Sequence, residues 1–119
     1  MAVTETIMIV ANDLNTVYLL QRYAETSGFR TIRMGTNDPI IQMMQKVRPV
    51  LVIFDDEIWT GAPTILQELE ADLQTCDIPV LTYSPLSEPY QIPRFSGYTG
   101  NIVGYDDLLS ALQRMGIQP

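Results

Sequence analysis

Val50-Leu51-Val52-Ile53-Phe54-Asp55-Asp56-Glu57 is an apolar run that ends in three consecutive carboxylates. A strand buried on both faces needs such an uninterrupted run, and strands of this kind belong to parallel sheets covered by helices. In open α/β sheets the ligand site lies beyond the carboxyl ends of the strands, so Asp55 marks a candidate site. Three adjacent like charges repel unless pleating, water or a cation separates them. Strand alternation sends Asp56 to a different side from Asp55, so the three acids do not converge in regular geometry, and Asp56 and Glu57 read as a solvated acidic loop. Ile58 and Trp59 follow; an aromatic there packs on the next helix, covers a pocket or anchors a partner. The only lysine is Lys46 and there is no histidine, so the acids have no obvious cationic partner.

Outward from this run, apolar spacing alternates between two periods. Ile7 to Val10 reads as a strand, and Leu14, Val17, Leu20 and Ala24 recur at helical spacing until Ser27-Gly28 stops the pattern. Phe29 to Met34 alternates as a more exposed strand. Asn37-Asp38-Pro39 then supplies cap residues with proline in the first turn of a helix carrying Ile40, Met43, Met44 and Val47. Pro49 separates that helix from the central strand. Ala62-Pro63 opens a third helix with Leu66, Leu69 and Leu73 inward, and Ile78 to Tyr83 reads as a fourth strand. Tyr98 to Val103 makes a fifth, and Asp106-Asp107 sit in the first turn of a last helix with Leu108, Leu112 and Met115 on one face. Pro85, Pro89 and Pro93 occupy the place of the helix expected between the fourth and fifth strands, which is therefore shortened or replaced by a loop. The reading is one α/β domain over residues 1–119, a doubly wound five-stranded parallel sheet with helices on both faces.

A chain of 119 residues with 46% hydrophobic composition suits one such domain. A net charge of −7, with seven scattered basic residues, disfavours direct nucleic-acid binding. No apolar run approaches a membrane span, and the start of the sequence lacks the pattern of a secretion signal. The single cysteine, Cys76, forms no internal disulfide, so the expected location is the cytoplasm.

Four separated landmarks, Ile7-Met8-Ile9-Val10-Ala11-Asn12-Asp13, Arg48-Pro49 leading into Val50 to Asp55, Asp77-Ile78-Pro79-Val80 and Gly97-Tyr98-Thr99-Gly100-Asn101, resemble bacterial response-regulator receiver domains in order and approximate spacing. The resemblance covers essentially the whole chain and implies a flavodoxin-like sheet of strand order 2-1-3-4-5. In that family an aspartate ending the third strand accepts a phosphoryl group from a histidine kinase with the help of magnesium; Asp55 matches it. The acids that hold the metal after the first strand correspond here to Ala11 and Asn12. Asp13 follows, and it reads first as a helix N-cap. Asn12, Asp13, Asp55 and Glu57 are the weak magnesium candidates. The switch hydroxyl falls on Ser84 and the switch aromatic on Tyr98, positions that equally suit a turn and plain β packing. The family's lysine corresponds to Asn101 and the proline after it to Ile102.

That lysine matters, because opposite unit charges about 4 Å apart attract by about 4 kcal/mol at an effective dielectric of about 20, before desolvation. Asparagine supplies only a dipole, and magnesium prefers anionic oxygen. The resemblance therefore implies an atypical or pseudo-receiver: a non-enzymatic signalling module that binds a protein partner, a histidine kinase or other domains of a longer chain, with weak or absent phosphorylation and no cofactor requirement. The alternatives are a working phosphoacceptor at Asp55 and a small-ligand module in the same crevice; neither a dinucleotide fingerprint nor a P-loop supports the latter. Tyr90, Ile92 and Phe95 are candidate partner anchors in the proline-rich segment, and a conventional homodimer is not assumed.

Overall fold

The apolar runs separate because each strand must bury two faces, and helices supply the cover. The computed structural model describes residues 5–35, 37–55, 67–69, 71, 72, 75, 77–83, 98–102 and 104–118; for residues 98–101 it describes the backbone alone. The elements are β1 (Thr6–Val10), α1 (Leu14–Thr26), β2 (Arg30–Met34), α2 (Ile40–Val47), β3 (Leu51–Asp55), β4 (Val80–Tyr83), β5 (Tyr98–Ile102) and α3 (Tyr105–Met115). All neighbouring strands are parallel, in the order β2-β1-β3-β4-β5. This is the doubly wound, flavodoxin-like order. The chain winds from β1 outward to β2 and then returns across β1 to β3, so the crevice opens between the carboxyl ends of β1 and β3.

Strand alternation divides the core in two. Ile7 and Ile9 of β1, Leu51 and Ile53 of β3, and Leu81 and Tyr83 of β4 face α1 and α3, where Leu20, Ala24 and Leu108 complete one cluster. Met8, Val10, Val52, Phe54 and Val80 face the other way and pack with Ile40 and Met44 of α2 and with Leu69. Every residue of β3 is buried, as its apolar run requires. β2 is the exposed strand its alternation suggested, with Arg30 and Arg33 open to solvent.

Local chemistry sets the helix ends. Asp13 is the N-cap of α1: its carboxylate accepts from the Asn15 N–H at 3.4 Å and from the Thr16 hydroxyl at 3.0 Å. α1 stops at Ser27-Gly28, where the Gly28 N–H reaches the Glu25 carbonyl and the Phe29 N–H the Ala24 carbonyl, both at 3.0 Å. α3 ends in the same way: Gly116 has φ +71°, and the Ile117 N–H bonds the Leu112 carbonyl at 2.9 Å. These paired bonds satisfy carbonyls that a helix end leaves open. At the start of α3 the Asp107 carboxylate accepts from the Gly104 N–H at 3.1 Å.

Several boundaries differ from the sequence reading. Phe29 is buried but outside β2, because its N–H closes α1. The central strand begins at Leu51, with Val50 in a bend. β4 begins at Val80, because the Ile78 N–H is committed to the Thr75 carbonyl. Pro39 is the N-cap of α2 instead of a first-turn residue, and the Asp38 carboxylate accepts from the Gly35 N–H at 2.7 Å, closing the preceding turn in place of capping the helix. β5 ends at Ile102. Residues 67–69 and 71 are helical where the third helix was expected, whereas Leu66, Leu73 and the proline-rich residues 85–95 lie outside the described residues. No described helix is long and apolar enough to cross a membrane.

Two substitutions test these ends. Asp13→Ala should cost about 1 kcal/mol, the usual value of an N-cap, and leave any magnesium affinity unchanged. Gly116→Ala should cost about 1 kcal/mol through backbone conformation alone, since nothing lies within 4 Å of the added Cβ. Urea unfolding midpoints measure both.

Candidate functional site at the carboxyl edge of the sheet

Asp55 is the last residue of β3 and is only 4% exposed. Register places Tyr83 of β4 directly beside it, and Tyr83 stands directly beside Ile102 of β5. On the other flank Val10 pairs with Phe54, so the next residue, Ala11, comes level with Asp55. Ala11 is fully buried in the cluster shared with Ile7 and Ile9, and its N–H bonds the Met34 carbonyl at 3.0 Å. Position 11 therefore presents a methyl group packed into apolar core, on the face that Leu51 and Ile53 share with Asp55 by alternation.

Asn12 and Asp13 have turned out of the sheet and are exposed. Asp13 is occupied by the α1 cap. Asn12 comes against the turn after β2: a Cβ on Gly35 would stand 3.1 Å from Asn12 Oδ1 and 3.5 Å from Asp38 Oδ2. Glycine at 35 thus permits a close approach of the β2–α2 turn to Asn12. Sequence reading did not assign Gly35 or Asp38 to this neighbourhood, nor Tyr83 to the flank of Asp55; the polar step Thr82-Tyr83-Ser84 ending an apolar strand is the one signal that could have pointed to the latter.

Of the other candidates, Tyr98 opens β5 and pairs with Val80, at the amino end of the strand. Asn101 pairs with Thr82, and Ile102 is buried in the α1–α3 cluster. Ser84, Asp56, Glu57 and Trp59 lie outside the described residues. Among the described residues no three Asp, Glu, Cys or His side chains converge as a metal cage. Asp55 and Asn12 remain as an anionic and a neutral oxygen donor near the crevice; magnesium commonly takes one or two carboxylates and completes its shell with water and substrate oxygens.

Helix direction sorts the surrounding charge. Each helix runs antiparallel to the strands, so its amino end lies at the carboxyl edge of the sheet. Asp13 caps α1 and Asp106 and Asp107 lie in the first turn of α3 there, Asp38 sits in the turn before α2, and all four join Asp55. Lys46, Arg48 and Arg114 end helices at the opposite edge, Arg22 lies in the second half of α1, and Arg30 opens β2. Among the described basic residues only Arg33 stands toward the carboxyl half. Acids at helix amino ends also complement the helix dipole, so this segregation stabilises the helices while making the crevice negative.

No family model matches the sequence, and no curated protein matches it. Solved structures do match. The chemotaxis response regulator CheY4 of Vibrio cholerae superposes with a TM-score of 0.76 at 18% identity, covering 94% of this chain and 98% of that one. The N-terminal domain of a response regulator receiver protein from Methanoculleus marisnigri JR1 gives 0.67 at 22% identity, covering 96% and 98%. The pseudo-receiver domain of the CikA protein gives 0.64 at 16% identity, covering 95% and 98%. Over nearly its whole length, the chain has the fold of response-regulator receiver and pseudo-receiver domains.

Proposed function

We propose that this chain is a receiver-like signalling domain that acts mainly as a protein-interaction module, with phosphorylation of Asp55 weak or absent. The observation that carries the proposal is Ala11, buried in apolar core level with Asp55, where the family resemblance calls for a carboxylate. Phosphoryl transfer from an activated donor requires an Asp55 oxygen to attack phosphorus while the leaving oxygen departs, and protein catalysis of that step rests on positioning and charge stabilisation. The acidic carboxyl edge repels the incoming anion, and the lysine position carries Asn101. The module is not an enzyme, works in the cytoplasm, and takes a protein partner, either a histidine kinase or other domains of a longer signalling chain.

Retention of Asp55 at the end of β3 favours a second reading, a slow phosphoacceptor. Asp55 and Asn12 would then hold magnesium, whose contribution when bound is to neutralise charge on the phosphoryl oxygens. Asp55 supplies the nucleophilic oxygen, and the buried flank formed by Ala11 and Tyr83 limits the approach of water.

Incubation with magnesium and acetyl phosphate, followed by intact mass and Trp59 fluorescence, separates the two. The expected outcome is at most a trace of phosphorylated protein and no fluorescence change, in both the parent chain and Asp55→Asn. A long-lived phosphorylated mass in the parent that vanishes in Asp55→Asn would establish the second reading.

A further inference from the structure

Helices α1, α2 and α3 are held in unequal ways. α1 starts on the Asp13 cap, α3 starts with Asp106 and Asp107 in its first turn, and both end at a left-handed glycine, Gly28 at φ +94° and Gly116 at φ +71°. α2 is the shortest at eight residues, its N-cap Pro39 makes no side-chain bond, and its first turn carries no acid. In place of a cap, the Ile40 N–H meets the Asp38 carbonyl at 2.9 Å. α2 stops at Arg48 with φ +56°, the one non-glycine residue of positive φ among the described residues, and a side chain in that conformation is strained. Ile40, Ile41 and Val47 are β-branched and lose rotamer freedom in a helix.

The core beneath α2 is soft as well. Met8, Met34 and Met44 are buried there with Met43 packed against them, four of the chain's six methionines, whereas the α1–α3 cluster holds Met115 alone. An unbranched thioether side chain fills gaps without fixing one arrangement. No strand meets the α2 backbone as extensively as β5 meets that of α3. What holds α2 is burial of Ile40 and Met44 and the bond from Gln45 Nε2 to the Asp72 carboxylate. Its leading turn, closed by the Asp38 carboxylate on the Gly35 N–H, lies against Asn12 at the crevice.

We propose that α2 is a conformational switch: together with the β2–α2 turn it opens as one unit while the sheet, α1 and α3 stay folded. Motions of this kind are drawn from the least stable parts of a fold. Opening releases Arg48 from its left-handed conformation, uncovers the methionine-lined half of the core and withdraws the turn from Asn12, so the crevice widens on that side at the same moment. A partner that binds the open form better shifts the domain toward it by that difference in affinity. The change of shape needs no phosphoryl group and does not depend on any chemistry at Asp55.

Native-state amide hydrogen exchange of the whole chain at low urea reads the opening residue by residue. Amides of residues 43–48 should be protected about a hundredfold less than the slowest amides of α1 and β3, and their exchange should respond only weakly to urea. Asp13→Ala, outside the unit, should speed the slowest α1 and β3 amides about fivefold and leave residues 43–48 within about twofold, because α1 stays folded when α2 opens. Gly116→Ala in α3 should give the same pattern, and it replaces Asp13→Ala if that variant fails to fold. Asp38→Ala, inside the unit, should speed both sets about threefold. Asp55→Asn should leave the exchange of residues 43–48 unchanged, whatever its phosphorylation result. Exchange of residues 43–48 as slow as that of α1, an equal acceleration of both sets by Asp13→Ala, or no effect of Asp38→Ala on residues 43–48 would overturn the proposal.

Discussion

Side-chain alternation along the β1–β3 pair is the constraint on which the other features depend. Ile7, Ile9 and Ala11 with Leu51 and Ile53 fill the cluster under α1 and α3, while Met8 and Val10 with Val52 and Phe54 fill the one under α2. A slip of one residue would turn both sets over and expose both cores, so burial fixes the register. The same register decides the chemistry of the crevice. Once Ala11 belongs to the apolar face, Asn12 and Asp13 leave the sheet, and Asp55 has a methyl group level with it on β1's side of the crevice.

The helices then impose a charge pattern on this frame. Their amino ends converge on the carboxyl edge and attract acids, while their carboxyl ends face the other edge and attract bases. For a site built to receive an anionic phosphoryl group, that polarity is adverse unless cations are added. For a domain that informs a partner by shape and charge it is no obstacle.

Much of the fold was legible because it follows from local chemistry. The switch from strand to helix spacing after Val10, the cap at Asp13 and the stop at Ser27-Gly28 are all encoded within a few residues. Boundaries were less legible where one backbone group served two possible elements. Phe29 and Ile78 are apolar and extend the strand patterns, but their N–H groups close turns to Ala24 and Thr75. Asp38 resembled a helix cap, yet its carboxylate closes back onto Gly35 and leaves Pro39 at the cap. At the site, Asp55 could be found as the polar end of an apolar run, whereas the approach of Asn12 to Gly35 could not, because it depends on the packing of two turns.

By itself the sequence determined the alternation of elements, the parallel sheet and the position of the central acid, because hydrophobic period, caps and turn residues act over a few bonds. Only the tertiary structure decided that Tyr83 stands beside Asp55 and that Ala11 belongs to the core. Those relations depend on register between strands and on helix direction, and both are fixed by burying two core faces at once.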